Sequence, residues 1–64
     1  MNEHAAPEPN SHWRHRNGHL YTVMFITNTA KLSEKHPPDV VYKGSYGRMW
    51  SRPLSDWHRS MTKL

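Results

Sequence analysis

Cysteine is absent from these 64 residues, which excludes a disulfide scaffold and any zinc site built on thiolates. No apolar run approaches the roughly 18 residues that a bilayer-spanning helix needs, and no basic segment followed by an apolar stretch opens the chain. The expectation is a cytoplasmic protein. Also missing are a glycine-rich phosphate loop, a pair of catalytic carboxylates and a glycine elbow for a nucleophile. His58-Arg59-Ser60 and Ser55-Asp56 hold the side-chain types of nucleophilic catalysis without a device to position them, so neither an enzyme nor a cofactor is expected. Acidic residues are scarce, five against nine lysines and arginines, and all nine cations lie at or after Arg14. Residues 12–64 therefore carry nine positive and three negative charges, a net of +6. Such a surface draws acidic proteins, nucleic acid or phosphate ligands through a salt-screened field.

What the chain does have is aromatic mass: three Trp, three Tyr and one Phe. A chain this short buries only about 60% of its unfolded surface, so heavy aromatic packing is the means left to make one small core. Residues 1–11 contain two prolines, two glutamates and almost nothing large and apolar. They read as a disordered tail, leaving 12–64 as a single domain.

Within that domain, His12 to Arg16 is a short run centred on Trp13, and Asn17-Gly18 predicts a type I′ turn. His19 to Asn28 is rich in β-branched and aromatic residues and reads as the central strand. Alternation puts Tyr21, Val23 and Phe25 on one of its faces, and Leu20, Thr22, Met24 and Ile26 on the other. Thr27 to Pro38 is an exposed connection, with one helical turn expected near Lys31 to Lys35. Val40 to Lys43 and Arg48 to Arg52 are two further strands joined through Gly44 and Gly47, and Pro53 ends the second. Ser55 is placed to cap a short helix in which Trp57 and Met61, at i and i+4, form one apolar stripe, with Arg59 and Lys63 near its negative end. The economical architecture is a barrel of four to five antiparallel strands closed by a short C-terminal helix.

Trp13-Arg14-His15, Gly18, Tyr21, Val23, Val40-Val41-Tyr42, Tyr46-Gly47, Trp50 and Arg52-Pro53-Leu54 together resemble the pattern of a small bacterial and phage family, domain of unknown function 1653. The resemblance covers about Trp13 to Trp57. It implies a compact, mostly β, SH3-like domain and brings no activity or catalytic residues. The chain departs from that pattern at Trp57, where Phe or another apolar residue is expected, and in its proline-rich central loop.

Six histidines raise the question of a metal. His12, His15 and His19 would align on a helix, but in a hairpin His12 and His15 fall on opposite faces, so no metal site is expected. Trp50 and Trp57 are expected in the core. Tyr42, Lys43, Tyr46, Arg48 and Arg52 are expected to form one aromatic and basic face, with Arg14 and His15 as further binding candidates. For His15 the alternative is a hydrogen bond to a turn carbonyl. Arg52 is suited either to clamp a ligand carboxylate or phosphate, or to pair internally with Asp39 or Asp56. The reading is a non-catalytic binding module that contacts a partner protein; if a phage encodes it, the partner would be a host factor that it modulates in the host cytoplasm. Two other classes stay open: a nucleic-acid-binding barrel, and an accessory domain for a small anionic ligand such as a nucleotide. No membrane partner is expected, and homodimerisation is compatible with the sequence.

Overall fold

The computed structural model describes residues 6–30 and 35–64. Five strands and one helix follow each other as β1 (His12–His15), β2 (Leu20–Thr27), β3 (Asp39–Lys43), β4 (Met49–Pro53), α1 (Leu54–Ser60) and β5 (Met61–Lys63). All pairings are antiparallel, in the order β4-β3-β2-β1-β5. The fold is thus mostly β, a five-stranded open sheet with β2 at its centre, as its composition predicts. Helix α1 joins the two outermost strands and packs on β3, β4 and β5, spanning the gap that the hydrogen bonds leave open.

The core is aromatic. Trp13, Val23, Val40, Tyr42, Trp57 and Met61 are buried, with Tyr21, Ile26 and Leu54 packed against them. Trp57 sits edge-on between Trp13 (ring centroids 5.5 Å apart) and Tyr42 (5.1 Å), and Tyr21 meets Tyr42 edge-on at 5.0 Å. Edge-to-face pairs add about 0.5–1.5 kcal/mol beyond the area they bury, a large share for so small a core.

Four local details correct the sequence expectations. First, a bulge between Val23 and Phe25 shifts the β2–β3 register. Strict alternation therefore holds only to Val23; beyond it Ile26 turns to the core and Phe25 is half exposed. Second, the Asn17-Gly18 turn is not type I′. Its loop is Arg16 to Gly18, Gly18 alone has positive φ (95°), and its N–H donates to His15 O at 2.8 Å. That is a three-residue hairpin with a left-handed glycine, and Asn17 serves by accepting the His19 N–H at 2.9 Å on its side-chain oxygen. Third, the helix starts at Leu54 and not behind a Ser55 cap; the Leu54 N–H donates to Pro38 O at 2.9 Å. Fourth, the helix ends at Ser60. Met61 is buried as the first residue of β5 opposite His15, and Lys63 lies in that strand opposite Trp13.

Of the stretch expected as a tail, residues 1–5 lie outside the described residues. Residues 6–11 run beside β2, where the Asn10 N–H donates to Val23 O and the Val23 N–H to Ser11 O, and Pro7 is buried. Ser11 Oγ accepts the Trp13 indole N–H at 2.8 Å. The helical turn expected near Lys31 to Lys35 falls on residues 31–34, also outside the described residues.

Candidate functional site

Register decides which side chains share a face, because directly opposed residues of an antiparallel pair lie on the same side of the sheet. Tyr42 faces Trp50, and Val40 faces Arg52. Val40 and Tyr42 are core residues, so Trp50 and Arg52 are on the core side too, and Arg48 shares their phase. Lys43 faces Thr22, and Arg14 faces Leu20, all on the opposite side.

The single aromatic and basic face expected from Tyr42, Lys43, Tyr46, Arg48 and Arg52 is therefore divided. The reason is the two-residue period of a strand: Tyr42 and Lys43 are neighbours and must point apart. Tyr42 is 6% exposed and belongs to the core. Lys43 and Arg14 are exposed on the outer side.

Arg52 is held internally. Its Nη1 lies 3.5 Å from Asp56 Oδ2, and its Nη2 lies 3.4 Å from His15 Nε2. His15 in turn accepts the Asn17 N–H on Nδ1 at 3.1 Å, so it bonds the turn through an amide and not through the expected carbonyl. With Nδ1 accepting, the ring carries its proton on Nε2, so the Arg52 guanidinium meets His15 as a packing contact and not as a second hydrogen bond; that contact joins β1 to β4 rather than presenting a site. His12 bonds Thr22 on the outer side at 3.2 Å and His19 is exposed. Among the described residues no group of three or more His, Asp or Glu is placed to hold a metal.

What remains outward is Tyr46, Arg48 and Trp50. Trp50, expected in the core, is 49% exposed, because β4 is the outermost strand and nothing flanks its far side among the described residues. Tyr46 is 97% exposed. It stands in a short 3-10 turn, Ser45–Gly47, at φ 62° and ψ 21°, followed by Gly47 at φ 73°, and the Arg48 N–H closes the turn on Ser45 O at 3.4 Å. Two successive left-handed residues are the type I′ pattern. The turn type expected at Asn17-Gly18 is found here, with a tyrosine where asparagine is favoured.

Tyr46, Arg48 and Trp50 form one wall of a concavity of about 510 Å³ whose other wall is Gly18 to Tyr21. A second concavity of about 320 Å³, reaching Lys43 and His12, shares Leu20, Tyr21 and Ser45 with it. None of the residues lining either is acidic. Gly44 keeps the wall close: a Cβ there would lie 2.8 Å from Tyr21 Cε1 and 3.4 Å from Trp50 Nε1. Leu20, Met49 and Leu64 add further half-exposed apolar surface. The contribution of Tyr21, His19 and Trp50 is not readable from local sequence, since it depends on which strand is outermost and on two turns meeting in space.

Residues 11–63 match the family described as a protein of unknown function, DUF1653. No curated protein and no solved structure matches the chain.

Proposed function

We propose that this chain, which belongs to the DUF1653 family, is a non-catalytic binding module that contacts a partner protein through Tyr46, Arg48 and Trp50. One observation carries the reading. Tyr46 combines a left-handed backbone with a ring that is 97% exposed. A bulky residue in that conformation costs on the order of 1–3 kcal/mol, and such outliers gather at functional sites. Full exposure of the ring returns nothing to the fold, so the return lies in a contact made with something else.

The neighbours give the contact its chemistry. Trp, Tyr and Arg are the side chains that dominate the binding energy of protein interfaces, and Met is enriched there as well. Here Tyr46, Arg48 and Trp50 occur within five consecutive positions, all exposed, and Met49 exposes its side chain on the other face of β4. Arg48 and the acid-free lining favour a partner with a negative surface at this point. A cytoplasmic setting, and a host factor as the partner should a phage encode the chain, fit this reading.

The test is a tagged pull-down from cell lysate, with and without nuclease, using the natural chain beside Tyr46→Ser and Trp50→Ser. A stoichiometric protein that survives nuclease and is lost with both variants is the expected result. Recovery that vanishes on nuclease treatment would replace the protein partner with nucleic acid, and recovery unaffected by either variant would refute the site.

A further inference from the structure

The outer edge of β4 continues the surface formed by Tyr46, Arg48 and Trp50, and its hydrogen-bonding phase can be read from the bonds at its two ends. The Gly44 N–H donates to Arg48 O, and the Leu54 N–H donates to Pro38 O, both within 2.9 Å. With Tyr42 opposite Trp50 and Val40 opposite Arg52, the bonded pairs are 44/48, 42/50, 40/52 and 38/54. Alternation of an antiparallel ladder then turns the N–H and C=O groups of Met49 and Ser51 away from β3. Among the described residues no strand pairs with that side. Pro53, the next residue in the same phase, has no N–H and stops the ladder. The edge therefore offers two donors and two acceptors in a row, beneath a file of side chains that starts with Arg48 and Trp50.

We infer, on the basis of the binding reading above, that the partner presents an extended acidic segment which adds to β4 as a sixth strand. Strand addition draws affinity from main-chain hydrogen bonds and specificity from alternate side chains. The alternate positions here are Arg48 and Trp50, so the segment carries a carboxylate opposite the first and an apolar side chain opposite the second, two residues apart. Charge also disfavours the simplest rival, a second copy of this chain. Antiparallel self-pairing with Met49 and Ser51 as reciprocal partners sets Arg48 of one copy opposite Arg52 of the other, between molecules of net charge +4 each. Four main-chain bonds make a short ladder, which suits a weak, reversible contact.

The probes are two end-blocked hexapeptides, Thr-Phe-Val-Asp-Val-Thr and its reverse, each with a control in which Lys replaces Asp. They are titrated into the full chain while backbone amides are followed by NMR. One of the two orders binds, the Met49 and Ser51 amides gain protection from hydrogen exchange, and the Lys control binds about tenfold more weakly. Ser51→Pro removes an outward N–H without touching the β3 ladder and weakens binding about tenfold or more, whereas Ser51→Ala leaves it unchanged. The exchange measurement on the natural chain is independent of how well the proline variant folds. Failure of both peptides to perturb Met49 and Ser51 overturns strand addition. Binding that is lost with Tyr46→Ser yet indifferent to Ser51→Pro overturns it while leaving the Tyr46 and Trp50 surface in place. Binding indifferent to Tyr46→Ser, Trp50→Ser and Ser51→Pro alike defeats both readings. A concentration-dependent dimer abolished by Ser51→Pro would assign the edge to a second copy instead.

Discussion

Arg52 and His15, 37 positions apart in the chain, approach to 3.4 Å between Nη2 and Nε2 on the core side of the sheet. The same guanidinium holds Asp56 at 3.5 Å, but that pair is partly solvated, with side chains 22% and 43% exposed, and an exposed pair of this kind is worth only about 0.2–1 kcal/mol. The larger part of the loss in Arg52→Ala therefore comes from the link to His15 and from packing of the aliphatic stem. The expected cost is about 1–2 kcal/mol. Chemical denaturation of Arg52→Ala, His15→Ala and the double variant should give a coupling of at least about 0.5 kcal/mol. Strict additivity would show that the contact contributes nothing.

Tyr46 sets stability against binding. Asparagine tolerates the left-handed region better than a bulky ring, so Tyr46→Asn should raise stability by about 0.5–1 kcal/mol while weakening capture of the partner. Thermal unfolding checks the first half and the pull-down the second. A destabilised Tyr46→Asn would mean that the ring supports the fold after all.

Gly44 has an ordinary extended backbone, so its replacement is limited by space alone. In Gly44→Ala the new methyl meets Tyr21 Cε1 at 2.8 Å and Cδ1 at 3.1 Å, and the Tyr21 ring must leave its edge-on position against Tyr42. A cost of about 1–3 kcal/mol is expected, as for overpacking. Tryptophan fluorescence should report the change as well, because the Trp50 indole nitrogen is the third neighbour. An unshifted melting temperature would mean that Tyr21 yields freely.

Trp57 is fully buried, yet its indole N–H has no hydrogen-bond partner among the described residues. Leaving a donor unpaired costs about 1–3 kcal/mol. Trp57→Phe removes that donor together with some packing, so the two effects oppose each other and the net loss should be about 1 kcal/mol or less. Trp57→Ala removes the same donor but far more packing and should cost about 3–5 kcal/mol. A Trp57→Phe loss well above that in denaturant titrations would show that the unpaired N–H carries little cost.

Much of this architecture is written locally. The β-branched and aromatic run from Leu20 to Thr27 declares the central strand, and two glycine-bearing turns declare the hairpins around it. The i, i+4 spacing of Trp57 and Met61 marks both as core although only the first is helical. What local pattern does not carry is set by partners distant in the chain. Met61 to Lys63 is a strand because β1 is there to pair with, and three residues have no strand signal of their own. Trp50 looks like core until β4 proves to be outermost. Lys43 and Arg52 look like one face until the register separates them. The left-handed Tyr46 is hidden for another reason: tyrosine is a poor choice for that conformation, and propensity points to Asn17 instead. The resemblance to DUF1653 was legible from the outset; the wall opposite Tyr46, made by Gly18 to Tyr21, was not.

The extra residue that β2 carries between Val23 and Phe25 is half a period of the strand, and so it acts as a phase inverter. Before it, odd-numbered side chains enter the core; after it, even-numbered ones do. Removing Met24 would take out the extra residue itself and leave Val23 opposite Tyr42, Phe25 opposite Val41 and Ile26 opposite Val40 as one regular ladder, with each of these side chains on the face it already has. Removing a residue elsewhere in β2, such as Thr22, would turn part of the strand over, because one step of register exchanges the two faces. A change of length in the connection after Thr27 alters no such parity. Two single-residue deletions a few positions apart in this strand are thus unlike events, one a trimming and the other an exchange of inside for outside.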